Sequence, residues 1–256
     1  MKVALVQLDI AWEDAAENHR RALRHLRDAK TRGARLVLLP EMFATGFSMK
    51  PDRIAQPPGG PSETFLRDTA KELGLWILAS VPEAGTPRPR NTALLVSPVA
   101  DVTRYAKIHP FSFGGEDRVY AGGDRVVTAV VEDVRVTPFV CYDLRFPEPF
   151  RMAAEETDLF AVVANWPRER IAHWKTLLHA RAIENLCYVA GVNRVGEGGG
   201  LRYTGDSAAI SPWGETLASG GPAEEILLFE ADPSAVREAR ARFPALSDRR
   251  PEAYRR

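Results

Sequence analysis

The first forty residues alternate between apolar runs and one amphipathic segment, and this rhythm restricts the fold more than any other feature. "KVALVQL" is apolar and β-branched, which is typical of a buried strand. From Asp14 to Arg32, alanine and leucine recur at helical spacing among charges, and Gly33 then provides a stop signal. "RLVLLP" follows as a second buried strand. Strand, helix and strand of these lengths predict a βαβ unit with parallel pairing, and hence an α/β fold.

The alternation of predicted strands and helices continues through the rest of the chain, except in its middle. A helix opened by Ser62 and closed by Gly74 precedes the strand "LWILASV". Short links then join "NTALLVS", "VTRYAKI", "RVVTAVV" and "VRVTPFV", which predicts that part of the sheet is antiparallel. The remaining predictions are a short helix around Glu148 to Glu155, the strand "DLFAVVANW", a helix over Arg170 to Leu186, the strand "CYVAGVNRV", a mobile loop "GEGGG", a hairpin "SAAISPWGETLAS", the strand "EEILLFEAD" and a helix over Pro233 to Arg242. No linker or repeat divides the chain, so we expect one domain over residues 1–247 and a tail over residues 248–256.

Charge and cysteine usage narrow the class of protein. The chain has 34 basic and 34 acidic residues, which argues against nucleic acid or an anionic membrane as its main partner, because both need a basic surface. Its two cysteines are too few for a disulfide framework. No apolar run approaches the roughly 20 residues that span a bilayer, and the N-terminus lacks the apolar stretch of a signal peptide. We therefore expect a cytoplasmic protein.

Three apolar runs lead into residues that chemistry can use. "RLVLLP" runs into Glu41, "VTRYA" into Lys107, and "TPFV" into Cys141. In α/β folds, functional sites collect at the carboxyl ends of strands, where loops converge on a rigid support. A carboxylate, an ammonium and a thiol in that setting indicate nucleophilic catalysis.

Each of these residues has a defined part in such chemistry. A free thiol has a pKa of about 8.5, so a nearby carboxylate is needed to accept its proton during attack. A lysine ammonium, together with the backbone N–H of Tyr142, can stabilise the oxyanion that forms from a carbonyl. Taken singly, each residue also has a structural interpretation: Cys141 as an inert small hydrophobe, Glu41 as part of a turn after Pro40, and Lys107 as a solvated side chain on an edge strand.

Three segments together resemble the motif blocks of the nitrilase superfamily of carbon–nitrogen hydrolases. They are "LVLLPEMFATGF", "YAKIHPFS" and "VCYDLRFPEP", and the family uses a Glu–Lys–Cys triad in that chain order. The resemblance implies that Glu41, Lys107 and Cys141 form the triad, and that Glu116, in "FSFGGEDRVYAGG", orients the lysine. "VANWPRER" and "YTGDSAAISPWGE" are further similar to the bacterial ω-amidases, which hydrolyse the terminal amide of α-keto dicarboxylate monoamides such as 2-oxoglutaramate and 2-oxosuccinamate.

The resemblance also implies a fold and a set of partners. The fold would be a four-layer αββα sandwich, which in this family usually pairs into a dimer. It implies a small-molecule amide as the substrate, with no metal and no organic cofactor. A homodimer is therefore the expected assembly.

The substrate of an ω-amidase carries a carboxylate away from the scissile amide, so its pocket needs a cation. Arg145 and Arg168 are the candidates, because a guanidinium can bind a carboxylate through two hydrogen bonds. An ion pair of Arg145 with Glu148 or Asp143, and a solvated position for Arg168, are the alternatives. Five aromatic residues are candidates for the pocket wall: Phe43, Phe47, Phe111, Phe113 and Trp166.

Other candidates receive structural interpretations. Asp143 is expected to brace the turn after Cys141, and Cys187 to pack in the core. His173 and His179 are six residues apart, which is not a metal-ligand spacing on one helix face. Four rival functions remain open: an amidase for deaminated glutathione, a nitrilase, a catalytically silent binding or regulatory homologue, and a thiol redox sensor.

Overall fold

The computed structural model describes residues 1–254, so the last two residues of the expected tail lie outside the described residues. The strands are β1 (Lys2–Gln7), β2 (Leu36–Leu38), β3 (Trp76–Glu83), β4 (Arg90–Val96), β5 (Val102–Ala106), β6 (Ala129–Val131), β7 (Val134–Val140), β8 (Leu159–Ala164), β9 (Tyr188–Asn193), β10 (Val195–Gly198), β11 (Leu201–Thr204), β12 (Ala208–Ile210), β13 (Thr216–Ser219) and β14 (Glu225–Glu230). The helices are α1 (Ala15–Thr31), α2 (Pro51–Ile54), α3 (Pro61–Leu73), α4 (Glu116–Val119), α5 (Pro147–Ala153), α6 (Ile171–Asn185) and α7 (Pro233–Arg242).

Two six-stranded sheets carry the site, and both mix parallel and antiparallel pairs. The first has the order β14-β1-β2-β3-β4-β5, and the second has the order β13-β12-β9-β8-β7-β6. β1, β2 and β3 are parallel, as are β7, β8 and β9, whereas the outer strands pair antiparallel. The predicted βαβ unit and the antiparallel middle of the chain are both confirmed.

The layers explain why the central strands read as continuous apolar runs. In β1, Val3 and Leu5 belong to the core between the two sheets, while Ala4 and Val6 face α1 and α3 on the outside. The second sheet is covered on its outer face by α5 and α6. Because each sheet is buried on both faces, alternation of apolar and polar residues is lost. This arrangement confirms the αββα sandwich.

Two local predictions were wrong. Gly60, not Ser62, caps α3, because Pro61 occupies the first helical position, for which its fixed φ is suited. "GEGGG" is not a free loop: most of it lies in the hairpin β10–β11, which pairs Val195 with Thr204. The glycines let this hairpin approach the turn after β1 closely, because a Cβ at position 199 would lie 2.7 Å from the ring of Trp12.

No helix within residues 1–254 is long and apolar enough to cross a membrane. The described part of the tail contains a short 3₁₀ turn over Pro251–Tyr254.

Candidate active site

Glu41 lies just beyond the carboxyl end of β2 and is fully buried. Its Oε1 accepts hydrogen bonds from Lys107 Nζ at 2.9 Å and from Asn91 Nδ2 at 2.8 Å. Its Oε2 accepts the backbone N–H of Asn165, which follows β8, at 2.9 Å. Strands of both sheets therefore hold this carboxylate from opposite sides.

Lys107 follows β5 and bridges two carboxylates. Its Nζ also donates to Glu116 Oε2 at 2.7 Å, and both side chains are buried. Burial works against the ammonium, but the carboxylates of Glu116 and Glu41 outweigh it and raise the pKa of Lys107 above its usual value. Burial raises the pKa of Glu116, and the ammonium of Lys107 opposes this rise. The alternative of a solvated lysine on an edge strand was wrong.

Cys141 begins a 3₁₀ turn directly after β7, with a left-handed φ of 45°. A left-handed backbone is strained for a residue with a Cβ, and such strain concentrates at functional sites. Its Sγ lies 3.9 Å from the main-chain oxygen of Asn165. Burial, together with the carboxylate of Glu41, raises the pKa of the Cys141 thiol well above its usual value, and Lys107 only partly opposes this. The resting group is therefore a neutral thiol that needs a base.

Asp143 holds the turn that carries Cys141. It is fully buried and accepts hydrogen bonds from Val140 N, Tyr105 Oη and both His109 N and His109 Nδ1, at 2.7–3.1 Å. The prediction that this aspartate braces the turn is confirmed. Its oxygens are occupied by these donors, and Arg145 pairs with neither Asp143 nor Glu148.

A cavity of about 290 Å³ opens above Cys141. Its wall is mostly aromatic and apolar and contains no carboxylate; the lining residues are Trp12, Phe47, Met49, Phe111, Gly114, Cys141, Tyr142, Arg145, Asn165, Trp166, Pro167, Arg170, Gly199, Leu201 and Tyr203. Tyr142 and Trp166 are thus where they were expected. Phe113 is not in the wall: it is 86% exposed, outside Phe111. Phe43 is fully buried away from the cavity.

Two guanidinium groups line this cavity. Arg145 lies 5.1 Å from the ring of Trp166 and donates to His173 Nδ1 at 2.9 Å. Arg170 lies 5.4 Å from the ring of Phe111. Arg168 is exposed and does not line the cavity, so the structure does not bring it into the site. Arg168 and Arg170 belong to the same 3₁₀ turn, Arg168–Arg170. About three residues complete such a turn, so the side chains of two residues that are two positions apart point in different directions.

The sequence and the fold have counterparts among known proteins. The profile of the carbon-nitrogen hydrolase family matches residues 2–241. The chain belongs to this family. It is 38% identical to the omega-amidase YafV of Escherichia coli, over 97% of this chain and 96% of that protein. It is 32% identical to a 2-oxoglutaramate amidase of Bacillus subtilis, over 98% of both chains.

A solved carbon-nitrogen hydrolase shares the whole fold. The crystal structure of a superfamily member from Xanthomonas campestris, which carries an arsenic adduct in its active site, superposes with a TM-score of 0.93. That protein is 39% identical, and the match covers 98% of this chain and 97% of that one. The resemblance seen in the three motif blocks is therefore confirmed.

Within this carbon-nitrogen hydrolase, sequence reasoning missed three residues that the structure places at the site: Asn91, Asn165 and Arg170. Asn165 ends the apolar run of β8, so the strand-end rule that selected Cys141 also applies to it. Asn91 precedes the apolar run of β4 rather than following it, and that rule does not reach it. Arg170 was assigned to the start of α6 instead.

The second thiol is remote from this site. Cys187 is fully buried and precedes β9, whereas Cys141 follows β7. Because β7, β8 and β9 are parallel, the two thiols lie at opposite ends of the sheet. They cannot pair, which removes the basis for a thiol redox sensor. Among residues 1–254, no three His, Cys, Asp or Glu side chains cluster as metal ligands would.

Proposed function

We propose that this protein is an ω-amidase that hydrolyses the terminal amide of small α-keto dicarboxylate monoamides, 2-oxoglutaramate and 2-oxosuccinamate, through a thioester on Cys141. One arrangement carries the proposal. A neutral thiol lies at the base of an aromatic cavity that contains two guanidinium groups, and the buried Glu41–Lys107–Glu116 cluster faces it. The relatives named omega-amidase and 2-oxoglutaramate amidase supply the substrate class.

The first step joins sulfur to the amide carbon. Glu41 takes the thiol proton as the sulfur electron pair attacks, and the carbonyl π pair moves onto oxygen. Lys107 has three N–H donors, of which Glu41 and Glu116 occupy two, so the third is free for the oxyanion. The N–H of Tyr142, in the first positions of a 3₁₀ turn, has no acceptor within that turn and can be the second donor.

The second step releases ammonia. The oxyanion pair returns to carbon, the C–N bond breaks, and the leaving nitrogen takes the proton from Glu41, so ammonia departs and a thioester remains. Glu41, ionised again, accepts a proton from water as that water attacks the thioester. The sulfur leaves and recovers its proton, and the products are the dicarboxylate and the free enzyme. Glu116 keeps Lys107 charged and aimed during both steps.

Arg145 and Arg170 are proposed to bind the carboxylate next to the keto group. The cavity wall contains no acid that would neutralise them. Arg145 donates to a histidine nitrogen, which leaves its remaining N–H groups available. This assignment replaces Arg168 by Arg170 and keeps Arg145.

Arg170→Ala and Arg145→Ala are each expected to raise the KM for 2-oxoglutaramate by about 10–100-fold, with a smaller effect on kcat. A hydrogen bond to a charged group contributes about 1.5–3 kcal/mol. Each arginine would make this bond to the bound substrate as well as to the transition state, so its loss raises KM more than it lowers kcat. Steady-state kinetics of ammonia release measure both constants. Arg168→Ala is the matched control, because it removes an arginine from the same turn outside the cavity. An equal rise in KM for this control would contradict the assignment.

The function itself is tested by ammonia release from a panel of substrates. We expect the highest kcat/KM for 2-oxoglutaramate or 2-oxosuccinamate, a lower value for deaminated glutathione, and little turnover of a nitrile of the same length. Preference for deaminated glutathione would favour the first rival function. No turnover of any member, with correctly folded protein, would favour a silent homologue.

We further propose a single domain over residues 1–247, a homodimeric assembly and a cytoplasmic location. The large exposed apolar side chains of Ile183, Trp213, Leu217 and Phe243 are compatible with a dimer surface.

A further inference from the structure

We propose that Asn91 is a positioning residue that keeps Glu41 and Glu116 ionised together and directs the proton of Cys141 to one particular oxygen of Glu41. The proposal rests on the amide hydrolysis proposed above, and it assigns a role to a residue outside the triad and its second glutamate.

The site contains more negative than positive charge, so a further hydrogen-bond donor is needed to stabilise the carboxylates. Two buried carboxylates, Glu41 and Glu116, share one ammonium, Lys107. Two carboxylates enclosed together tend to share a proton, because like charges disfavour full ionisation. A shared proton would block the base in a fraction of the molecules. A further donor that reaches both carboxylates would counter this tendency.

Asn91 is placed to be that donor. Its Nδ2 donates to Glu41 Oε1 at 2.8 Å and to Glu116 Oε1 at 3.1 Å, and it is 1% exposed. An amide NH₂ group has two hydrogens, so these two bonds use its full capacity. Hydrogen bonds to the charged form of an acid favour that form. One neutral side chain thus supports both negative charges.

Counting donors on Glu41 shows where the proton must go. Oε1 accepts from Lys107 and Asn91, whereas Oε2 accepts only from the backbone N–H of Asn165. A carboxylate oxygen offers about two acceptor sites, so Oε1 is filled and Oε2 retains one. The proton from Cys141 therefore enters at Oε2. Loss of Asn91 would open a second acceptor site at Oε1 and remove this selectivity.

The backbone of β4 fixes Asn91 relative to the lysine. The carbonyl of Asn91 accepts the N–H of Lys107 at 2.9 Å, next to the paired residues Thr92 and Ala106. The other titratable groups that face the two carboxylates are Cys141, Tyr120 and Tyr203. Tyr120 donates its hydroxyl hydrogen to the carbonyl of Ser48, so it cannot replace the lost amide.

Asn91→Ala tests the proposal through the pH dependence of kcat/KM. Without the donor, protonation of the carboxylates is easier, so the acid side of the profile should move to higher pH by about 1–2 units. Asn91→Ser, which retains one hydrogen, should move it by less. Asn185→Ala is the matched control: Asn185 is fully buried, donates to a carbonyl at 2.9 Å, and also has an unpaired Oδ1, but lies at the end of α6. The control should leave the profile in place.

A second measurement separates this proposal from the proposed function. Alkylation of Cys141 by iodoacetamide, followed by mass spectrometry, needs no substrate. The acid limb of the pH dependence of the alkylation rate should move to higher pH in Asn91→Ala and in Asn91→Ser, as it does for kcat/KM. Wild type that alkylates but releases no ammonia would contradict the amidase and leave the role of Asn91 testable. An unchanged pH dependence in a folded Asn91 variant, or an equal shift in Asn185→Ala, would overturn the role of Asn91.

Discussion

Cys141→Ala is expected to abolish ammonia release, with a loss on the order of 10⁶-fold, the size found when the nucleophile of a hydrolytic triad is removed. No other thiol lines the cavity, so no second sulfur can replace Cys141 as the nucleophile. The fold should remain, because the sulfur hydrogen bond is a weak one at 3.9 Å and alanine tolerates the left-handed backbone no worse than cysteine does. Ammonia release and a urea unfolding curve measure the two effects.

Cys187→Ala is the matched control for that experiment. It removes a fully buried thiol from the core, so it should lower the free energy of unfolding by about 1 kcal/mol and leave activity within a few fold. A slow amide substrate should give a mass increase on Cys141 in wild type and in Cys187→Ala, but not in Cys141→Ala. If Cys141→Ala retained substantial turnover, or if the adduct formed elsewhere, the thioester mechanism would be wrong.

The residues that the sequence could predict share one physical property. Glu41, Lys107 and Cys141 each come after the carboxyl end of a strand. The strands before Glu41 and Cys141 are almost wholly buried, and such strands are visible in the sequence because two covered faces require continuous apolar character. The strand before Lys107, β5, lies at the edge of its sheet, and only Tyr105 in it is buried. The parallel pairing that brings strand ends together follows from the βαβ rhythm. The αββα order of the layers was predicted from the family resemblance, and the two hydrophobic cores confirm it.

The residues that escaped prediction depend on geometry with no sequence signature. Only the path of the 3₁₀ turn decides whether Arg168 or Arg170 points into the cavity, and the sequence of two arginines separated by Glu169 does not reveal that path. Asn91 reaches the site because β4 pairs antiparallel with β5, which leads into Lys107. This pairing brings Asn91 and Lys107, sixteen positions apart in the sequence, into contact. The "GEGGG" segment gave a loop signal, yet its glycines serve close packing against Trp12.

Lys107→Met is expected to damage stability and activity together, in contrast to Cys141→Ala. Methionine fills a similar space beside Phe47, but it leaves Glu41 and Glu116 buried without a cation. Removing one partner of a buried ion pair costs about 3–5 kcal/mol, because the remaining charge stays buried. Loss of an oxyanion donor alone lowers kcat by about 10²–10³-fold. We expect at least that loss in ammonia release, with a clear decrease in the midpoint of urea unfolding at pH 8.

The stability deficit of Lys107→Met should shrink as the pH is lowered from 8 to 5. Burial already raises the pKa of Glu116 in the wild type, and Lys107 is what opposes the rise. In the variant, the folded state therefore holds a proton that the unfolded state has released, so its stability increases as the pH falls. Lys175→Met is the matched control, since Lys175 pairs with Asp206 at 2.6 Å but is 56% exposed, and such surface pairs are worth about 0–1 kcal/mol. A deficit that is the same at pH 5 and pH 8, or no larger than that of the control, would show that the carboxylates of Glu41 and Glu116 do not depend on the lysine for their charge.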